Sequence, residues 1–365
     1  MASDKYISSE SSGKNIGIKD VARRAKVSPA TVSNVLNKKK PVSSTLEARV
    51  WEAVNELGYQ ANPFGKGLKG SRTNQIGVIV PSFSQIFFPR VLQGIHEAAR
   101  NEGYTVSVFE THGNVETEKK HIDYIQSSWF DGIILSSFAD WDNKKDRTYI
   151  ELLNHLGTKK KSIPMVALEN VVGQNADAVI IDNQAAAEKA VNHLMDIGHQ
   201  RIAHVAAPSM LKNGRLRLEG YKNALEKGGI VVDPSLIRHG DYSAISGYHA
   251  VNMLLDEQVP FTAVFAASDQ MAIGAMRALL DVRLRIPEDV AVIGIDNNFP
   301  SSLVTPTLST INVPKFEMGY QAFKLLVQRI ENPTKARMIV TLGHDLIIRR
   351  STSVDGEQKW ILEGW

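Results

Sequence analysis

Two groups of side chains have the types and the spacing to hold other molecules. The first is Pro29, Ala30, Thr31, Ser33, Asn34 and Asn37, interleaved with the apolar Val32, Val35 and Leu36. An Asn can pair with adenine through two hydrogen bonds, and Pro and Ala can touch thymine methyls. Thr31, Asn37 and the run Lys38–Lys40 are placed to hold phosphates, which position a protein on DNA without reading its sequence. The second group is Ser136-Ser137, Glu169, Tyr242, Ser268-Asp269 and Asp296, each at the end of an apolar run. In open α/β sheets ligands bind outside the carboxyl ends of the strands. A strand-end Ser or Asp also commonly caps the following helix. Asp269, which opens Asp269-Gln-Met-Ala-Ile-Gly-Ala-Met-Arg277, reads as such a cap, whereas Asp296 has no strong helix after it.

Other chemistries are excluded. The chain has no cysteine, so disulfides, thiolate nucleophiles and Cys-based zinc sites are ruled out. There is no P-loop and no H-E-x-x-H. The 10 histidines lack metal-ligand spacing, and His193 and His199 read as surface or capping residues. No catalytic constellation assembles, so an enzyme is not expected, nor a cofactor, nor a metal.

Three short helices carry the first group. Ile18, Val21, Ala22 and Ala25 have the spacing of one buried helical stripe, ending near Lys26-Val27. A second helix opens at Ser28-Pro29, a favoured cap followed by a favoured first residue. It buries Val32, Val35 and Leu36 and ends near Asn37. A third opens at Ser44-Thr-Leu-Glu47, a capping-box pattern, and Gly58 ends it. Two short helices joined by a tight turn form a helix-turn-helix, whose second helix enters the major groove of DNA. Charge agrees: residues 1–70 hold 12 Lys/Arg against 6 Asp/Glu, while the remainder hold 30 against 33. A basic head on a slightly acidic body suits a polyanionic partner.

The second group needs a larger frame. At 365 residues, with 43% hydrophobic and 22% charged residues, the chain holds two or three globular domains. From residue 75, apolar runs alternate with helical segments. Strands are expected at Gln75–Pro81, Tyr104–Glu110, Gly132–Ser136, Pro164–Glu169 and Ala178–Asp182. A second set is expected at Arg201–Ala206, Ile237–Tyr242, Ala263–Ser268, Val290–Asp296 and Leu308–Val313. This is α/β: an N-terminal three-helix helix-turn-helix head, then two successive doubly wound parallel-sheet lobes whose strand ends face one another across a cleft. Between head and body, residues 62–74 are basic and glycine-rich, a linker. Its literal G-x-G-x-x-G at Gly65, Gly67 and Gly70 follows a helix and precedes a strand, so it is not a dinucleotide fingerprint.

The stretch Ile18-Lys-Asp-Val-Ala-Arg-Arg-Ala-Lys-Val-Ser-Pro-Ala-Thr-Val-Ser-Asn-Val-Leu-Asn37 resembles the DNA-binding head of the lactose-repressor (LacI/GalR-type) family. The likeness continues through Leu57-Gly-Tyr59 and Asn62-Pro63, and the segments 83–89, 213–221, 240–248, 267–275 and 293–297 resemble effector-binding segments of the same family. The resemblance covers about residues 16–350 and implies a periplasmic-binding-protein-like body. It implies that Pro29, Ala30 and Asn34 read bases. It makes residues 62–74 a hinge in which Leu68 wedges into the minor groove and Lys66 holds phosphate or the groove. In the cleft it implies Arg217 and Asp296 as an anchor pair, with Glu169, Ser268, Ser136, Phe83, Phe87, Phe88 and Tyr242 as lining. Phe87-Phe88 fits core packing equally well. The chain departs from the family at Gly17, which supplies no hydroxyl for a phosphate where Thr or Ser is usual. It departs again at Gly65 and Gly67, each costing ~1 kcal/mol of helix propensity in the hinge.

The function implied is a transcription regulator, a repressor, that binds a pseudo-palindromic operator in double-stranded DNA as a homodimer. A small effector, with a sugar favoured over a nucleobase or phosphorylated metabolite, would change the pose of the lobes and so the spacing of the paired hinges. A two-lobed sugar-binding receptor would need a signal peptide and no basic head. Residues 1–15 lack an apolar core for such a signal and read as a disordered lead, and no apolar run approaches the ~18–20 residues that cross a bilayer. A cytoplasmic location without membrane contact is expected. The expected domains are 16–61 (head), 62–74 (hinge), 75–350 (body) and a C-terminal tail, 351–365, without the Leu heptads of a tetramerising coiled coil.

Overall fold

A computed structural model describes residues 16–37, 40–59, 72–139, 146–155, 163–170 and 176–358. It divides into two compact units, one ending at Thr73 and one beginning at Asn74.

The first unit holds helices α1 (Ile18–Ala25), α2 (Pro29–Asn37) and α3 (Ser44–Leu57). Val21, Ala22, Ala25, Val32, Val35, Val50, Ala53 and Val54 form its core. Lys26 and Gly58 end α1 and α3 in the left-handed conformation, at φ 50° and 61°. Arg49 ties the third helix to the end of the first, donating to the Ala25 carbonyl at 2.5 Å. The capping box expected at Ser44 does not form. The cap is Ser43, its side chain makes no capping bond, and Glu47 spends its backbone N–H on the Ser43 carbonyl.

All ten expected strands of the second unit form, within two or three residues of their expected ends. They are β1 (Gln75–Val80), β2 (Thr105–Glu110), β3 (Gly132–Leu135), β4 (Met165–Leu168), β5 (Asp177–Ile181), β6 (Ile202–Ala206), β7 (Ile237–His239), β8 (Ala263–Ala266), β9 (Ala291–Asp296) and β10 (Ser309–Asn312). Two more were not expected, β11 (Ile339–Leu342) and β12 (Asp345–Ile347). The helices are α4 (Phe87–Asn101), α5 (Val115–Ser127), α6 (Arg147–His155), α7 (Asn183–Asp196), α8 (Lys212–Lys227), α9 (Ala244–Asp256), α10 (Asp269–Asp281) and α11 (Lys315–Glu331). One sheet runs β11-β5-β4-β3-β1-β2, all parallel; the other runs β12-β10-β9-β8-β6-β7, with β12 antiparallel. The central strands are buried on both faces. In β1 the alternate residues Ile76, Val78 and Val80 pack towards α4 and α11, while Ile79 packs towards α5 and α6.

The two lobes are not successive, as the strand count alone suggested. Among the described residues the chain crosses between them three times. After β5, α7 packs on β8, β9 and β10 of the second lobe. After β10, α11 returns to β3, β4 and β5 of the first. After β11 the chain crosses once more into β12. The return of α11 rests on paired glycines: a Cβ on Gly94 would sit 2.0 Å from the Phe316 carbonyl oxygen, and one on Gly319 would sit 1.9 Å from that of Val91. A buried Arg329–Asp177 pair, with two 2.8 Å hydrogen bonds, then fixes α11 to β5. The tail expected from residue 351 starts inside the body. Ser351 donates its Oγ–H to the Val292 carbonyl and accepts from the Ser309 N–H at 2.8 Å, so it extends the second sheet's packing.

Candidate DNA-reading head and effector cleft

On α2 the apolar residues face inward and the polar ones outward, because Val32 and Val35 fill the head's core. Pro29 and Ala30 are exposed, and Thr31, Ser33 and Asn34 are partly exposed. Ser28 caps the helix, accepting from the Thr31 N–H at 3.1 Å and sharing a 2.9 Å hydrogen bond with the Thr31 hydroxyl. Thr31 is therefore partly committed to the cap. Gly17 caps α1 through its backbone alone; its N–H donates to Asp20 at 3.0 Å. Lys40 is exposed. Lys38, Lys39, Lys66, Leu68 and the side chain of Asn37 lie outside the described residues.

The strand ends of the second unit's two lobes enclose a cleft. Eight of the nine residues named from the resemblance line it: Phe87, Phe88, Ser136, Glu169, Arg217, Tyr242, Ser268 and Asp296. Phe83 does not. Its side chain is 49% exposed, and its loop is turned by a Ser82–Ser84 hydroxyl bond and by the Phe83 N–H donating to Glu110 at 2.7 Å. Phe87 and Phe88 do both things weighed for them: they meet edge to face at 5.3 Å inside the core and also wall the cleft.

Arg217 projects from α8 with 4% exposure. Its Nε donates to Asn183 at 2.8 Å, one Nη to the Ala267 carbonyl, and the other lies 3.5 Å from Asp296. Asp296 ends β9 at φ 115°. Glu169 and Tyr242 also have positive φ, 63° and 71°. Non-glycine residues held there cost about 1–3 kcal/mol each, and such strain gathers at ligand sites. Glu169 accepts from Ser136 at 2.7 Å within its own lobe and from Asn213 at 3.2 Å across the cleft. A second cross-cleft bond runs from the Ile86 N–H to Gln270 at 3.1 Å. Burial pushes the carboxyls of Glu169 and Asp296 up; the Ser136 hydroxyl and Arg217 oppose this for Glu169, as Arg217 and Lys315 do for Asp296.

Asp269 is not the cap expected of it. Ser268 caps α10, and the fully buried Asp269 carboxylate accepts from the Asn298 N–H and the Thr310 hydroxyl, both at 2.6 Å. Burial, then the Asp296 charge, pushes it up. His193 is also no surface residue: it is buried and shares a 2.9 Å hydrogen bond with Thr352.

Ser137, singled out with Ser136, also lines the cleft; sequence reading missed Gln85, Phe138, Asn170, Asn213 and Gln270, which line it too. A signal existed. Asn170 and Gln270 directly follow polar residues already singled out, and Asn213 lies four residues before Arg217, on the same helical face. Glu118 gave no signal. It is buried behind the cleft wall and accepts from Ser137 at 2.6 Å, Tyr149 at 2.7 Å and the Phe138 N–H at 3.2 Å.

A helix-turn-helix head joined to a two-lobed body with a cleft at its strand ends defines a ligand-controlled, DNA-binding transcription regulator. Residues 17–62 match the bacterial regulatory proteins of the lacI family, and residues 191–352 match a periplasmic binding protein-like domain. The HTH-type transcriptional repressor CytR of Escherichia coli (strain K12) is 36% identical over 338 residues, 92% of this chain and 96% of the relative. The lac repressor dimer bound to operator and the anti-inducer ONPF aligns with TM-score 0.81 and 29% identity, over 93% of this chain and 99% of that one. A transcriptional regulator CelR–cellobiose complex aligns with TM-score 0.68 and 29% identity, over 92% and 99%. The chain belongs to the LacI family. It is a transcription regulator with a DNA-binding head and an effector-binding body, and not an enzyme. No helix among the described residues is long and apolar enough to cross a membrane.

Proposed function

We propose that this protein represses transcription from the cytoplasm as a homodimer on a pseudo-palindromic operator, and that a sugar held in the cleft sets its DNA affinity. The observation that carries the effector assignment is the convergence of Arg217, Asp296, Glu169, Ser136 and Ser268 on one cleft walled by Phe87, Phe88 and Tyr242. Carboxylates and a guanidinium bridge adjacent hydroxyls with charge-assisted bonds, and an aromatic ring covers the apolar face of a pyranose. The cellobiose bound to CelR, a relative of the same fold, supports a sugar.

In this reading Pro29, Ala30 and Asn34 touch bases while Thr31, Ser33 and Asn37 hold the backbone. Leu68 enters the minor groove beside Lys66. The ligand acts by preferring one arrangement of the two lobes, which is coupled to DNA by linkage. The experiment is a thermal-shift screen of the full chain against sugars and nucleobases. A ligand at 100 times its Kd stabilises the protein by about 2.7 kcal/mol. Arg217→Ala and Asp296→Ala abolish the shift of a true effector; an unchanged shift in both variants refutes the cleft assignment.

A further inference from the structure

We propose that the cleft selects ligands that carry no negative charge and that present a hydrogen-bond donor to Asn213 and Glu169, rejecting phosphorylated or carboxylated forms of the same molecule. The inference rests on the reading of the cleft as the effector site and names the chemical class that site takes.

The charge balance comes first. Among the described residues lining the cleft, Arg217 is the one cation, against the two carboxylates Glu169 and Asp296. Arg217 is also engaged: Asn183, the Ala267 carbonyl and Asp296 take one donor direction from each of its three nitrogens. An anionic ligand at the two N–H groups that remain would compete with Asp296 for the guanidinium, in a cleft that already holds the Asp296 and Glu169 carboxylates. Lys315 offers no substitute. Its ammonium is turned onto the backbone carbonyls of Asp296, Asn297 and Val313. The starts of α4, α8 and α10 all open on the cleft and could favour an anion. At α4 the Ile86 N–H is spent on Gln270 and the Phe88 N–H on the Gln85 carbonyl, and at α8 the Glu169 carboxylate already lies against Asn213. At α10 the Ser268 hydroxyl accepts the Met271 N–H, and the Asp269 carboxylate occupies the first turn.

The hydrogen-bond inventory gives the positive half. Asn213 is 9% exposed and lines the cleft; its Nδ2 donates to Glu169, and its Oδ1 has no partner among the described residues. A buried acceptor left unpaired is costly, and a ligand donor arriving there removes the cost. Glu169 beside it accepts from Ser136 and Asn213 and, as a carboxylate, has lone pairs for more. The pair thus offers acceptors from both lobes to one donor-rich group, such as adjacent hydroxyls.

The test titrates the full chain by calorimetry with matched pairs: glucose and glucose 6-phosphate, ribose and ribose 5-phosphate, cellobiose and cellobionate, adenosine and its 5′-monophosphate. The expected result is that each compound that binds is the uncharged member of its pair, with the anion at least 100-fold weaker. Asp296→Asn, checked for folding by circular dichroism, frees Arg217 and narrows that gap at least tenfold. A charged member binding as tightly as its parent overturns the inference while leaving the effector cleft intact. A gap that Asp296→Asn leaves unchanged also overturns it. If no member of any pair binds, the effector reading itself fails, and this inference with it.

Discussion

Arg217 and Asp296 lie 3.5 Å apart with both side chains buried, and Asp296 meets its partner from a backbone held at φ 115°. The pair joins α8 to the end of β9 at the floor of the cleft. Arg217→Met should therefore weaken the fold as well as ligand binding. It leaves Asp296 buried without its counter-charge and removes the donors to Asn183 and the Ala267 carbonyl. Breaking a buried pair from one side costs about 3–5 kcal/mol. Urea denaturation checks this, and Arg217→Met combined with Asp296→Asn should recover part of the loss.

Glu118 supports the wall of the cleft without lining it. Glu118→Ala leaves the Ser137 hydroxyl, the Tyr149 hydroxyl and the Phe138 N–H without their acceptor. The expected loss is at least 2 kcal/mol, since each unsatisfied buried group costs about 1–3 kcal/mol. Glu118→Gln keeps an acceptor and should lose less. Burial raises the Glu118 carboxyl above its ordinary 4.5, so its contribution is greatest below that pH and is lost as pH rises through the folded value. Above pH 4.5, Glu118→Gln should recover relative to wild type as pH rises, which a denaturant series at several pH values measures.

His204 is stacked between Tyr221 at 4.8 Å and Phe265 at 4.6 Å, its Nδ1 bonded to the Phe265 carbonyl and its Nε2 buried without a partner among the described residues. Burial pushes its pKa down from 6.5 to about 3. The unfolded chain then takes up the proton first, so stability is present above pH 6.5 and is lost as pH falls towards about 3. His204→Phe keeps the stack. It should be within about 1 kcal/mol of wild type at pH 7.5, the worth of the lost hydrogen bond, and should gain on wild type steadily below pH 6.5. Thermal unfolding at pH 7.5 and pH 5 separates the two.

Ser28 controls the reading helix from its first turn. Ser28→Ala removes the acceptor of the Thr31 N–H and should cost the head about 1 kcal/mol. Asn34→Ala, on the exposed side, should leave head stability nearly unchanged but cost about 1–3 kcal/mol of discrimination at one base position. Operator affinity measured across a salt series separates the roles. A Lys40→Ala variant that lowers the slope of log K against log salt marks a phosphate contact, whereas Asn34→Ala should leave that slope as it was.

Much was legible because it depends on local pattern. The stripe Val32, Val35 and Leu36 fixes which side of α2 stays outside, so Pro29, Ala30 and Asn34 had to be on the surface. Parallel strands buried on both faces leave apolar runs such as 75–80 and 290–296, and all ten expected runs became strands. Strands β11 and β12, which were not expected, lie at the edges of their sheets and show mixed burial. Phe83 was misplaced because only the loop's own hydrogen bonds, to Glu110 and between Ser82 and Ser84, decide where it turns.

Amphipathic spacing, capping residues and charge, read along the chain, determined a basic three-helix head and an α/β body with polar residues at its strand ends. Only the tertiary structure decided that the lobes interlace through three crossings, that Asp269 is a buried acceptor rather than a cap, and that Asn213 meets Glu169 across the cleft. The reason is range. A helix or strand is chosen by neighbours a few residues apart, whereas the Asn298–Asp269 and Asn213–Glu169 bonds join residues separated by 29 and 44 positions and depend on how whole sheets and helices pack.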